Sequence, residues 1–206
     1  MRTATIPDVI VGRLPLYLRA LSQMAGEGKE ITSSQELGEQ LGISSAQIRK
    51  DLSQFGEFGK QGTGYNTKYL AEQLRRILKV DRVWEVALVG LGDLGHAVAH
   101  YGGFVDRGFR IVVLFDDDPA KIGKDVGGMP IQDAAQMTGE IRRRGIRVAM
   151  LAVPAASAQA AADDLVRAGV QAILCYAPTN ILVPENVQVR YIDPVVGMQH
   201  MTHYLP

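Results

Sequence analysis

The sequence predicts an α/β protein in which a small helical domain precedes a larger parallel-sheet domain. Three observations carry that expectation. Two short amphipathic helices meet across a four-residue turn within the first sixty residues. An apolar strand then runs directly into Gly90-Leu91-Gly92-Asp93-Leu94-Gly95. From there apolar strands and helical stretches alternate almost to the end, the pattern of a sheet covered on both faces.

A chain of 206 residues has room for one large domain or two small ones. Its 47% hydrophobic and 21% charged residues exclude disorder, and its single cysteine, Cys175, excludes a disulfide framework. The N-terminus lacks an apolar core followed by a small-residue cleavage site, and no apolar run approaches the ~20 residues of a membrane helix. The expected location is the cytoplasm, with no membrane partner. Residues 1–80 hold 11 basic against 8 acidic side chains, and residues 81–206 hold 11 against 14. A basic first domain fits phosphate neutralisation, with ordinary surface scatter as the plain alternative.

Leu16, Leu18, Leu21 and Met24 follow Pro15 near helical spacing and mark the first helix. Ser33 and Glu36 make a capping box ahead of SQELGEQL, which stops at Gly42. A second such pair, Ser44 and Gln47, opens SAQIRKDLSQF, which stops at Gly56. Two capped helices around Leu-Gly-Ile-Ser form a helix-turn-helix. In the second helix Ile48, Leu52 and Phe55 share one face, leaving Gln47, Arg49, Lys50 and Ser53 on the remaining surface. Glutamine suits adenine, arginine suits guanine, and serine and lysine suit backbone oxygens. The stretch GEFGKQGTGY, with four glycines, two aromatics and a lysine, predicts a tight hairpin wing able to approach a phosphate. Leu70, Leu74, Ile77 and Leu78 then line a further helix. Residues 1–80 thus read as a winged helix-turn-helix, with Ser44, Gln47, Arg49, Lys50, Ser53, Lys60, Gly62 and Tyr65 as candidate DNA contacts. The bland alternative is a generic helical domain for protein contacts.

Residues 81–192 read as a Rossmann-like NAD(H)-binding domain. The strand Val86–Val89 enters the glycine loop, a helix follows with Leu94, Val98 and Tyr101 on one side, and the next strand, RIVVLFD, ends at Asp116. Gly90 would permit the turn, Gly92 the approach of a pyrophosphate, and Gly95 close helix–strand packing, with Leu91, Asp93 and Leu94 between them. Asp116 would accept the adenosine ribose hydroxyls and repel a 2′-phosphate. With no arginine beside Asp116-Asp117-Asp118, NAD(H) is favoured over NADP(H). A helix over 134–144, the strand RVAMLAVP, a helix through 163–168, the strand AILCYAP, the segment VQVRYID and a short helix from Pro194 complete the chain. Val153, Pro154, Tyr176 and Pro178, at two strand ends, are candidates for the nicotinamide half of a dinucleotide.

No catalytic apparatus is evident, because the dinucleotide fold consumes the chain to Asp193 and leaves no substrate domain. The pairs His96/His100 and His200/His203 lack a third ligand at metal spacing, so no metal is expected. Cys175 reads as a small buried apolar residue. These features point to a sensor. The competing readings are a small NAD-dependent oxidoreductase and a transcription factor answering to another adenine nucleotide such as coenzyme A.

The chain resembles the Rex family of bacterial redox-sensing transcriptional repressors over nearly its whole length. IPDVIVGRLPLYLRAL, SSAQIRKDLSQFGEFGKQGTGY, VGLGDLGHAVAHYGGF, FDDDPAKIG, LAVP, ILCYAP and YID carry the resemblance, in that order. It implies a homodimer that binds double-stranded palindromic operator DNA when NAD⁺ prevails and leaves it when NADH rises. It also implies that residues 193–206 form a helix swapped onto the partner's cofactor domain. Arg19, Tyr101 and Asp193 would then be the coupling residues, with Asp193 exchanging between the other two.

Overall fold

The chain divides after Arg82 into two units in the computed structural model, which describes residues 6–59 and 63–205. The first unit contains α1 (Asp8–Val11), α2 (Leu14–Gly26), β1 (Ile31–Thr32), α3 (Ser34–Leu41), α4 (Ser45–Ser53), β2 (Tyr65–Asn66) and α5 (Thr67–Ile77). Pro15 lies in the first turn of α2, where its missing N–H costs nothing. The buried stripe of α2 is Leu14, Tyr17, Leu21 and Met24, whereas Leu16, grouped with Leu21 and Met24 by its spacing in the sequence, is exposed. The stripe starts at Leu14, so the i, i+3, i+7 positions that follow exclude residue 16. These side chains pack with Leu37, Ile48, Leu52, Leu70 and Leu74 into one core.

The two expected capping boxes differ. At α3 the box is complete, with Ser33 Oγ accepting from Glu36 N and Glu36 Oε2 accepting from Ser33 N. At α4 only half forms. Ser44 Oγ accepts from Gln47 N, but the Gln47 side chain turns instead to Asp51. The wing also departs from the hairpin expected within residues 56–65. Tyr65 and Asn66 pair antiparallel with Thr32 and Ile31, the short strand ahead of α3. Thr67 holds that pairing in place, its Oγ1 donating to the Lys29 carbonyl at 2.5 Å and its N–H to the Glu30 carbonyl at 2.9 Å. The loop closes at Gly59, where a Cβ would lie 2.6 Å from the Gly64 carbonyl oxygen.

The second unit contains β3 (Trp84–Val89), α6 (Asp93–His100), β4 (Phe109–Asp116), β5 (Asp125–Val126), β6 (Met129–Asp133), α7 (Met137–Arg144), β7 (Val148–Leu151), α8 (Ala155–Ala168), β8 (Ala172–Cys175), β9 (Gln188–Tyr191) and α9 (Pro194–Thr202). The sheet order is β5-β6-β4-β3-β7-β8-β9, parallel throughout except for the β5–β6 pair. Counted along the chain, the parallel strands run 3-2-1-4-5-6, the order of a dinucleotide-binding sheet. The β5–β6 hairpin has no counterpart in the sequence reading. Its signal was the Gly127-Gly128 turn, both residues at positive φ, which only glycine adopts freely. Ala87 and Val89 face the core under α7 and α8, while Val86 and Leu88 face the opposite core with Val98 of α6. Of the expected α6 stripe, Val98 is buried, but Leu94 and Tyr101 are exposed. Among the described residues, no helix is long and apolar enough to cross a membrane.

Candidate functional site

The strand order reverses between β3 and β7, and a cleft of about 780 Å³ opens there at the carboxyl ends of the strands. Backbone bonds carry the sheet just past the strand ends: Gly90 N–H donates to the Phe115 carbonyl, Ala152 N–H to Val89 and Tyr176 N–H to Leu151. Gly90 sits at φ +93°, and a Cβ there would lie 2.7 Å from the Ala152 carbonyl carbon. A Cβ on Gly95 would be driven into the Gly90 carbonyl, so α6 can start against the loop only through that glycine. Gly92 is different, because a Cβ there would meet nothing within 4 Å. It caps the N-terminus of α6 and lines the cleft, leaving the helix mouth open to an anion that reaches the main chain. These features fit a pyrophosphate. Asp93, in the first helical turn, places one exposed carboxylate beside that mouth.

Of the residues expected at the site, Gly90, Gly92, Asp93, Leu94, Asp116, Val153, Pro154 and Tyr176 line the cleft. Leu91 and Gly95 stand behind its wall as buried residues, and Pro178 is exposed outside it. The lining also includes Lys121, Met137, Ser157 and Asp164, which the sequence reading missed. Cys175 is fully buried and its thiol is pushed up by that burial, so it is no reactive thiolate.

Asp116 is already engaged within the protein. The carboxylate is only 5% exposed, and its oxygens already accept from Leu91 N at 2.7 Å and Asp118 N at 2.9 Å. Lys121 adds its ammonium at 3.1 Å, brought back by the turn that follows the strand. Burial disfavours the charge, but the Asp118 and Leu91 N–H groups and Lys121 outweigh it and hold Asp116 below the usual carboxylate range. Asp116 therefore braces the glycine loop, with the Lys121 ammonium beside it.

On the first unit, α4 exposes Arg49, Lys50 and Ser53, with Gln47 half-buried at its start. Arg49 Nη1 donates to Ser34 Oγ at 2.9 Å, and Ser53 Oγ donates to the Lys50 carbonyl at 2.9 Å. Ser44 is exposed as the helix cap and Tyr65 is half-buried on β2. Lys60 and Gly62 lie outside the described residues. Behind this face is Asp51, a buried carboxylate that the sequence reading did not single out. It accepts two bonds from Arg13 at 2.6 and 2.8 Å, one from Tyr17 Oη at 2.6 Å and one from Gln47 Nε2 at 2.6 Å. Burial opposes its ionisation, yet these donors hold it below the usual carboxylate range, and burial beside it pushes the Tyr17 hydroxyl up to about 12.

Comparison with known proteins places this arrangement. Residues 5–53 match the family described as "Putative DNA-binding protein N-terminus", and residues 81–179 match "CoA binding domain". The redox-sensing transcriptional repressor Rex of Roseiflexus sp. (strain RS-1) is 55% identical, over 97% of this chain and 90% of that protein. Rex of Streptomyces coelicolor is 44% identical over 96% of this chain and 77% of that one. The chain belongs to the Rex family of redox-sensing transcriptional repressors. The crystal structure of RSP in complex with beta-NAD+ and operator DNA superposes with a TM-score of 0.93 at 33% identity, covering 98% of this chain and 94% of that one. RSP in complex with beta-NADH gives 0.89 at 31% identity, covering 98% and 95%. The Rex relatives are redox-sensing transcriptional repressors, that is, regulators of transcription.

In this Rex-family chain the three residues expected to couple the domains are placed as follows. Arg19 is an exposed residue of α2. Tyr101 caps the C-terminus of α6, half exposed, with its ring edge-to-face on Phe104 at 5.0 Å. Asp193 caps α9, its Oδ1 accepting from Val195 N at 2.8 Å, ahead of Pro194 in the first helical turn. Among the described residues, no group of three or more histidine, cysteine, aspartate or glutamate side chains comes together in a way that could hold a metal.

Proposed function

We propose that this chain represses transcription by binding palindromic operator DNA as a cytoplasmic homodimer when NAD⁺ prevails, and that NADH in the cleft releases it. The observation that carries the reading is the cleft at the strand-order reversal, with Gly92 leaving the mouth of α6 open, in a chain that also presents α4. The Rex relatives and the RSP complexes support it. NADH and NAD⁺ share their adenosine and pyrophosphate contacts, so those contacts cannot tell them apart. The signal has to come from the nicotinamide, neutral in one and cationic in the other. Turning a 1:99 equilibrium into 99:1 requires about 5.5 kcal/mol of preference for the released state.

The last helix supports the dimer. In α9 and the residues after it, Val195, Val196, Met198, Met201, Tyr204 and Leu205 are all at least half exposed. So much apolar surface on one short element calls for a cover, and a second copy of the chain, taking α9 onto its own cofactor unit, supplies it. Asp193 at the base of α9 then chooses between Arg19 and Tyr101 as the two states exchange. Met198→Glu is expected to convert the dimer to monomer in sedimentation velocity. A variant that still sediments as a dimer places the interface elsewhere.

The deciding experiment is fluorescence anisotropy of the protein on labelled promoter DNA, titrated separately with NADH, NAD⁺ and coenzyme A. Release by NADH alone is expected. Release by coenzyme A in place of NADH would reassign the ligand, in keeping with the family matched by residues 81–179. Absence of binding to any promoter at moderate salt would remove the repressor reading.

A further inference from the structure

Asp51 occupies an unusual position on α4. Its side chain has no exposed surface, yet it sits on the helix that exposes Arg49, Lys50 and Ser53 to solvent. Four donors converge on its two oxygens: two from Arg13, one from Tyr17 and one from Gln47. Arg13 and Tyr17 come from α2 and the residue ahead of it, so the network ties α4 to α2. Three of these donors do only that. The fourth belongs to a residue at the exposed edge of the helix, in its first turn, three positions after the Ser44 cap.

The chemistry of that fourth bond has a consequence. An ionised carboxylate accepts hydrogen bonds and cannot donate them, and the paired Arg13 guanidinium keeps Asp51 ionised at neutral pH. The end of the Gln47 amide that meets Asp51 must therefore be Nε2. A glutamine in free solvent can turn its amide over and offer either end. Gln47 cannot do so without setting its carbonyl oxygen against a buried anion. Its Oε1 and its second Nε2 proton are left for another partner, in one fixed order. Neither Arg49, bonded to the exposed Ser34 hydroxyl, nor Ser53, bonded to its own helix, has a buried anchor of this kind.

We propose that Asp51 is a positioning residue for base readout, holding the Gln47 amide so that its acceptor and donor form a fork of single polarity. That fork matches adenine, which offers the N6 donor and N7 acceptor side by side in the major groove. The proposal rests on the DNA-binding reading above. A purely structural Asp51 would staple α4 to α2 and leave sequence preference untouched.

The test is selection from a randomised duplex library with the full-length wild type, Gln47→Ala and Asp51→Asn, followed by affinities on the selected site with each base replaced in turn. The wild type is expected to prefer adenine at one half-site position by about tenfold. Both variants should lose that preference and keep the others. An Asp51→Asn protein that binds more weakly at every position alike, with the adenine preference intact, overturns the proposal, as does a Gln47→Ala protein that keeps it. A wild type that selects no sequence removes the DNA-binding reading itself. A second measurement covers an Asp51→Asn chain that fails to fold. In the wild type, the Gln47 side-chain amide, assigned in ¹H–¹⁵N spectra by its absence from Gln47→Ala, is expected to exchange more slowly with solvent than a freely solvated glutamine. Exchange at the free rate overturns the proposal whatever the variant does.

Discussion

Replacing Asp51 by alanine is expected to cost the N-terminal unit about 3–5 kcal/mol, the usual result of removing one member of a buried charge pair. The substitution strands the Arg13 guanidinium, which is 22% exposed, and the buried Tyr17 hydroxyl. In a unit of this size each kcal/mol moves the melting temperature by roughly 4–8 °C, so the first thermal transition should fall by more than about 10 °C. Replacing Arg13 and Asp51 together by methionine and leucine should recover much of the loss, because no unpaired charge then remains. The pH dependence has a definite sign. Asp51 is held below its unfolded value, so its contribution is complete above about pH 4 and disappears as pH falls through the lower, folded-state value. Wild-type melts should therefore steepen in acid, and the alanine variant should lack that component. An Asp51→Ala protein that melts within a degree of wild type would show that the network contributes nothing.

The glycine loop should separate binding from folding. For Gly95→Ala, the new methyl would be driven into the Gly90 carbonyl, and main-chain atoms cannot give way as a flexible side chain can. The expected cost is about 1–3 kcal/mol in the second unit, together with loss of NADH binding as α6 is pushed off the loop. Gly92→Ala should behave differently. Its φ of −78° suits any residue, and its Cβ would point into open space. Stability should stay within about 0.5 kcal/mol of wild type, while NADH affinity falls at least about tenfold, since a methyl then holds the pyrophosphate off the backbone. Thermal melts paired with NADH fluorescence titrations measure both quantities on the same samples. Wild-type NADH affinity in Gly92→Ala would place the pyrophosphate elsewhere.

How far the sequence could be read depended on the range of each signal. The bounds of α3, the Ser33–Glu36 box, the glycine loop and the strand ending at Asp116 are written within a few residues of one another, and all appear in the structure. The β5–β6 hairpin rests on an equally local signal, its Gly127-Gly128 turn. The second capping box failed for another reason. Ser44 and Gln47 have the right spacing, but a buried carboxylate four residues on is a stronger partner for the amide than the exposed N–H of the cap.

By itself the sequence determined the order of the two units, the α4 face and the loop from which the dinucleotide cleft is built, because periodicity, capping and glycine spacing act between near neighbours. Only the tertiary structure decided that Tyr65 pairs with Thr32, that Lys121 and the Leu91 N–H take the oxygens of Asp116, and that Arg13 reaches Asp51 across 38 residues. Three of these join residues far apart in the chain, and the Lys121 contact depends on a turn bringing its ammonium back. A buried carboxylate recruits whichever donors the fold delivers to it, and no local pattern states which those will be.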